Sequence, residues 1–280
     1  MNGPDPSGYA PDWLALREPA DAEARSAELA AVVRDRLAAR APGPLLVRDL
    51  GAGTGAMARW LAGRLPGPQH WVLYDRDPAL LARAAAAAPP QADGGAAVGV
   101  EVREADLAAL GAPDLAGAGL VTASALLDLL TGEEVAGLAG ACAGAGCAAL
   151  ITLSVAGRVE LDPADPLDAE VRAAFNAHQR RAVGGRRPLG PDAPGAAARA
   201  FRERGAEVLL RPSPWRLGPD RPELLRTWLH GWVAAAVEQT PGLAVAAAPY
   251  LARRTAQSES GLLHAAVHHT DLLALPPEPP

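Results

Sequence analysis

An aspartate stands two residues ahead of a glycine-rich turn in "VRDLGAGTG", residues 47–55. Gly51 and Gly53 let a backbone turn sharply and approach a ligand closely, and Gly55 allows a following helix to pack tightly. Gly51, Gly53 and Ala56 also satisfy the dinucleotide pattern G-x-G-x-x-G/A, so the turn alone leaves its ligand open. Asp49 separates the alternatives. A dinucleotide lays its pyrophosphate against such a turn, and a carboxylate at ~4 Å opposes it by roughly 1–4 kcal/mol. S-adenosylmethionine brings an ammonium and a sulfonium and no phosphate, so it gains from Asp49. The competing reading makes Asp49 a solvated strand-end residue.

Three further pieces follow in order. Asp75, with Arg76 beside it in "WVLYDRDPALL", ends the second apolar run, where a carboxylate can accept both hydroxyls of a ribose. Asp77 before Pro78 reads as a helix cap and a structural residue. Asp106 in "VREADLAAL" can accept an adenine amino group with the Leu107 backbone alongside, or it is a turn aspartate. In "TASALLDLL", Ser124, Ala125 and Leu126 fall at a strand exit, under the cofactor; Asp128 faces the substrate or caps a helix.

If the sulfonium ligand serves as a methyl donor, its reaction is an in-line displacement that depends on alignment in a water-poor pocket, and a base helps where the acceptor must lose a proton. His178 in "FNAHQRR" is the candidate catalytic base and substrate residue, against a polar helix-face role. His264 and His268 alternate to one face of the last strand and His269 to the other, which argues against a metal site and leaves His268 as a possible pocket residue. Trp228, Trp232 and Tyr250 form a substrate lid or ordinary helical core. Arg180, Arg181, Arg186 and Arg187 clamp an acidic acceptor or form solvated surface.

These residues need a scaffold that brings strand ends together. Strand patterns "LLVRDL", "HWVLYD", "VGVEVREAD", "GLVTASALL" and "CAALITLSV" alternate with helical "GAMARWLAGRL", "PALLARAAAAA" and "GEEVAGLAGACA". That alternation predicts an α/β fold with a doubly wound, mainly parallel sheet. A long helix is expected over about residues 21–41. "AGRVELDPADP" reads as a loop, followed by a helix over 167–181, the loop "RRAVGGRRPLGPDAPG" and a helix over 196–204. "AEVLLRP" is then a strand, 222–238 and 243–257 are helices, and "GLLHAAVHHTDLLAL" is the last strand.

The chain has 280 residues, net charge −6 and 49% hydrophobic residues, enough for one large domain. It lacks lysine. This balance does not favour nucleic acid or an anionic membrane as partner. Cys142 and Cys147 sit among small apolar residues and read as reduced core thiols. The first residues, "MNGPDPSGYAPDW", do not resemble a signal peptide, and no apolar window is long enough to span a membrane. A cytoplasmic protein, monomer or homodimer, is expected.

In order and spacing, "VRDLGAGTG", "WVLYDRDP", "VREADL" and "LVTASALLDLLT" resemble the successive cofactor motifs of class I S-adenosylmethionine-dependent methyltransferases, over about residues 44–155. The resemblance implies a seven-stranded Rossmann-like sheet with its last strand antiparallel and cofactor along the carboxyl ends of the strands. It also implies that Asp49 with the Gly51–Gly53 turn binds the methionyl part, Asp75 the ribose and Asp106 the adenine side. Ala52 stands where many members have cysteine, and both are small. "WLALREPADAEARS" resembles an N-terminal helix covering the cofactor, from which Arg17 and Arg25 can meet the methionine carboxylate, or lie on the surface. The expected organisation is a cap at 1–43 and a methyltransferase domain at 44–280, with helical substrate-side additions at about 160–204 and 220–258. The expected activity is transfer to a small-molecule acceptor, such as a secondary metabolite, with a non-catalytic S-adenosylmethionine-binding sensor or partner subunit, or an NAD(P)-dependent oxidoreductase, as the alternatives.

Overall fold

In the computed structural model, residues 11–38, 43–87, 89, 91–106 and 110–277 are described. The parallel core begins with β1 (Leu45–Leu50), β2 (Gln69–Asp75), β3 (Val98–Glu104) and β4 (Leu120–Ser124). It continues into β5 (Ala148–Asp162) and is closed by β6 (Glu207–Pro212), β7 (Trp215–Leu217) and β8 (His264–Leu275). The strand order is β3-β2-β1-β4-β5-β8-β6, with β7 also on β8. The first five strands run parallel, and β8 is antiparallel to β5, β6 and β7. This is the expected doubly wound sheet with an antiparallel last strand, plus the short β7 that the sequence pattern does not announce.

The helices are α1 (Pro11–Ala24), α2 (Ala27–Ala38), α3 (Ala56–Leu61), α4 (Pro78–Ala86), α5 (Gly132–Ala145), α6 (Asp168–Gln179), α7 (Ala193–Arg202), α8 (Pro222–Gln239) and α9 (Ala244–Glu259). Local signals place several of them. Asp77 caps α4 by accepting from the Ala79 and Leu80 amides, with Pro78 at the first turn. Thr131 and Glu134 form a reciprocal capping box on α5, and Gly146 ends it in a left-handed conformation, φ 63°. One apolar cluster packs α2 and α3 on one face of the sheet, and a second packs α5 and α7 on the other. A third joins α6, α8 and α9 to the extended ends of β5 and β8.

Two expectations are corrected. The single helix over 21–41 is two helices that break at Arg25–Ser26, and residues 39–42 lie outside the described residues. The break has a cause: the Ser26 amide donates to Asp271 on β8 at 2.7 Å, while its hydroxyl accepts from Leu29 N and starts α2. The segment "AGRVELD" is not loop but the second half of β5, paired with β8 as far as Asp162↔His264. Irregular register between Val155 and Val159 breaks the alternation that would have marked it as strand. Gly157 lies there at φ 70°, where an added Cβ would meet the Pro191 ring at 2.8 Å.

Cys142 and Cys147 are buried free thiols. Among the described residues no helix is long and apolar enough to cross a membrane, and no cluster of three or more His, Cys, Asp or Glu side chains could hold a metal.

Candidate functional site

Strand order reverses around β1: β2 lies on one side and β4 on the other. In such sheets the crossovers diverge at this point and leave a crevice beyond the carboxyl ends of the strands. A cavity of about 1100 Å³ opens there, lined by the ends of β1, β2 and β4 and by α1, α6 and α8.

Its floor is the glycine turn. Gly51, Gly53 and Gly55 have φ of 66°, 54° and 81°, the left-handed region that glycine enters without a Cβ clash. Gly53 N donates to Asp75 Oδ2 at 2.8 Å, and Ala52 N donates to the Tyr74 carbonyl at 2.9 Å. Asp75 also accepts from Asp77 N at 3.0 Å, so its carboxylate is fixed by two backbone amides while its side faces the cavity. From above, α1 closes over the turn through Glu18, which accepts two hydrogen bonds from Arg59 of α3 at 2.8 and 2.6 Å.

Asp49 is not a solvated strand end. It is 1% exposed and sits in register with Thr122 of β4, whose hydroxyl donates to Oδ1 at 2.7 Å. Its other oxygen, Oδ2, is buried without a hydrogen-bond partner among the described residues. Burial pushes its carboxyl up from 3.8 to about 7, against the opposing pull of Thr122 and Arg25. Arg25, 4% exposed, donates through Nη2 to Ser124 Oγ at 3.0 Å, while Nε and Nη1 are buried with no partner among the described residues. Burial holds this guanidinium below its usual value. The inner end of the cavity therefore carries a buried carboxyl and a buried guanidinium, each with unmet hydrogen-bonding capacity.

Arg17 also lines the cavity but is committed elsewhere: it donates to both Asp21 oxygens, at 2.9 and 3.2 Å, and lies 4.9 Å over the Trp215 ring. Asp21 in turn accepts from Trp215 Nε1 at 2.9 Å. Of the two arginines named for the carboxylate, Arg25 is the one with donors to spare.

Beyond β4, Ala125 turns the chain at φ 51°, a strained value for a residue with a Cβ, held by a 2.9 Å bond from its amide to the Thr152 carbonyl. Ser124, Ala125 and Leu126 line the cavity, as do Arg76, Asp106 and Asp128. Leu107 lies outside the described residues. Asp128 is not the cap of α5, which is Thr131; its carboxyl, in the turn after β4, is pushed up to about 6 by burial.

The outer half of the cavity belongs to α6, α8 and the 183–188 turn. His178 is there, with Nε2 3.1 Å from Glu238 Oε2. Trp232 is there too, 2% exposed and stacked on Trp228 at 5.3 Å and 17°. Of the four arginines named for a clamp, Arg180 binds Asp192, Arg181 binds Glu238 and Arg186 binds Glu134, and Arg187 is exposed and does not line the cavity.

Two expected substrate residues are corrected. Tyr250 is fully buried and does not line the cavity; its hydroxyl donates to Asp168 at 2.7 Å, within a cluster completed by Arg254 on the same carboxylate. It joins α9 to α6. His268 pairs with Glu160 at 3.0 Å on the β5–β8 extension, away from the cavity lining. His269, on the opposite face, is buried edge-on to Trp215 at 5.3 Å and pushed down to about 3 by burial and then by Arg17.

Sequence reasoning did not single out Thr122, Phe175, Gln179, Glu238 or Asp271. Asp271, fully buried, accepts from Ser26 N, Leu153 N and Ser213 Oγ, and so ties the α1–α2 break to β5 and β8. A lone acid inside the apolar "HTDLLAL" was its only signal.

No family model matches this sequence, and no curated protein matches it. Solved structures are similar at low identity. The cyclopropane synthase MmaA2 from Mycobacterium tuberculosis is 12% identical over 95% of this chain and 94% of that one, with a TM-score of 0.49. A SAM-dependent methyltransferase from Geobacter sulfurreducens, in complex with S-adenosyl-L-homocysteine, is 15% identical over 96% and 99%, TM-score 0.42. An O-methyltransferase family protein from Burkholderia thailandensis is 22% identical over 72% of this chain and 54% of that one, TM-score 0.44. At such identities and scores, what the protein does has to be read from the cavity itself.

Proposed function

We propose that this chain is an S-adenosylmethionine-dependent methyltransferase acting on a small molecule. The observation that carries the reading is the pair at the inner end of the cavity: Asp49 Oδ2 and the Arg25 Nε and Nη1 donors, buried, oppositely charged and unmatched among the described residues. An α-amino acid end group supplies an ammonium for the first and a carboxylate for the second. A diphosphate supplies neither cation nor relief for Asp49, so the pair favours the methionyl end of S-adenosylmethionine over a dinucleotide.

The remaining residues fit the rest of that molecule. Asp75, held by Gly53 N and Asp77 N, keeps acceptor capacity for two ribose hydroxyls. Asp106 and Leu107 are proposed for the adenine side, and Arg76 for the rim of the same pocket. Gly51 and Gly53 let the backbone approach, and Ala52, Ser124 and Ala125 bound the space between. When bound, the cofactor supplies a methyl group on a positively charged sulfur. The protein orients, excludes water through α1, and receives a proton where the acceptor has one to lose. His178 with Glu238 and Asp128 are the groups of the cavity wall suited to that last role.

The cavity continues past β4 between α6 and α8, space that a cofactor sensor does not require. The test is calorimetric titration with S-adenosylhomocysteine, NAD and NADP in parallel, followed by methyl transfer from labelled S-adenosylmethionine to a metabolite library. Binding of NAD or NADP in place of the sulfur ligand would overturn the cofactor. Binding of the sulfur ligand with no acceptor found in any pool would favour the sensor.

A further inference from the structure

The outer half of the cavity has unmet groups of its own. Trp232 Nε1 and Gln179 Oε1 belong to residues that line it, and both atoms are buried with no hydrogen-bond partner among the described residues. A buried indole N–H ordinarily finds an acceptor, and a buried amide oxygen a donor. Around them, Phe175 and Trp228, which stacks on the buried Trp232, offer flat apolar surface. Arg181 and Arg186 are neutralised by Glu238 and Glu134. An anionic acceptor would therefore find no uncommitted arginine on this wall, and would face the carboxyl of Asp128. A protonated amine has no lone pair with which to attack.

Building on the methyltransferase reading, we propose that this half binds a neutral, planar acceptor bearing a hydroxyl group, whose oxygen accepts a hydrogen bond from Trp232 Nε1 and whose single hydrogen goes to Asp128. Asp128 lines the cavity from the turn that follows Ser124 and Ala125 out of β4, whereas His178 lines it from α6. The acceptor oxygen gains the methyl carbon, its hydrogen passes to an Asp128 carboxylate oxygen, and the donor sulfur keeps the electron pair of the broken bond as a neutral thioether. The raised carboxyl of Asp128 suits this task, because a stronger acid would be a poorer base.

The probe is 2-naphthol, titrated into protein saturated with S-adenosylhomocysteine, with 2-naphthoate as the anion of matched size. The expected result is at least ten-fold tighter binding of 2-naphthol. Trp232→Phe should weaken 2-naphthol about ten-fold and leave S-adenosylhomocysteine affinity within three-fold, which also certifies its folding. With S-adenosylmethionine, wild type should methylate 2-naphthol, and Asp128→Asn should do so about a hundred-fold more slowly at unchanged 2-naphthol affinity. Equal or tighter binding of 2-naphthoate, no binding of 2-naphthol, or unchanged 2-naphthol affinity in Trp232→Phe overturns the acceptor class. Wild-type protein that binds 2-naphthol without methylating it, or equal rates with Asp128→Asn, overturns the proton-transfer role. Failure of S-adenosylhomocysteine to bind at all sinks the cofactor reading beneath both.

Discussion

Asp49→Asn should make the empty protein more stable at alkaline pH while weakening its ligand. The asparagine keeps an oxygen for the Thr122 hydroxyl and removes the charge. Asp49 rises from 3.8 to about 7 in the folded state, so the native protein binds this proton more tightly than the unfolded chain does. Its contribution to stability is then fully present below pH ~4 and is lost as pH climbs through about 7. From pH 5 to pH 8 some two of those three units are traversed, and at 1.36 kcal/mol per unit wild type loses on the order of 3 kcal/mol that the variant keeps. That is roughly 5–10 °C in Tm for a domain of this size. The groups facing the carboxyl, Thr122, Arg25 and Asp75, are already included in this balance. The ligand reverses the sign. An ammonium needs the ionised carboxylate, so S-adenosylhomocysteine affinity in wild type should fall about ten-fold from pH 8 to pH 6, and be weaker but flat in Asp49→Asn. Thermal melts at pH 5 and pH 8, with calorimetric titrations across the range, read both effects. Parallel melting curves for the two proteins, or a flat wild-type affinity, would refute a buried carboxylate waiting for a cation.

Arg25→Met, which retains the stem without the donors, should weaken S-adenosylhomocysteine ten- to a hundred-fold by calorimetry, whereas decarboxylated S-adenosylmethionine should lose little. Asp75→Ala should weaken cofactor by roughly 1–3 kcal/mol, the cost of unmet hydroxyl groups; unchanged affinity in titration would remove it from the ribose. Tyr250→Phe should cost about 1 kcal/mol in denaturant unfolding and leave transfer kinetics unchanged, since its hydroxyl serves Asp168 and not the cavity. His178→Ala should lower turnover less than Asp128→Asn does; the opposite ranking in single-turnover rates would return the proton to His178.

What was legible in the sequence was local. The 20-residue spacing from Gly55 to Asp75, the glycine turn, the Asp77–Pro78 cap and the alternation of strand and helix are set by neighbouring residues, and each falls where its pattern placed it. The doubly wound, mainly parallel character of the sheet followed, because right-handed crossovers leave few arrangements, while the strand order itself came from the structure. Charge environment was not legible, since burial and partners come from distant segments. Asp49 and Thr122 stand 73 residues apart in the chain and meet only because β1 and β4 are neighbours in register. For Arg25 the sequence left open a carboxylate partner or a surface arginine, and the α1–α2 break, pinned by Asp271 from the far end of the chain, is what carries it inward. Tyr250 and Trp232 had the same helical signature, and only packing against α6 separated the buried hydrogen-bond partner of Asp168 from the wall of the cavity. Sequence determined the first five strands, their crossover helices and the glycine turn between β1 and α3. Tertiary structure decided which charges are stripped of water, because desolvation is a property of the assembled surroundings and no short stretch of chain contains it.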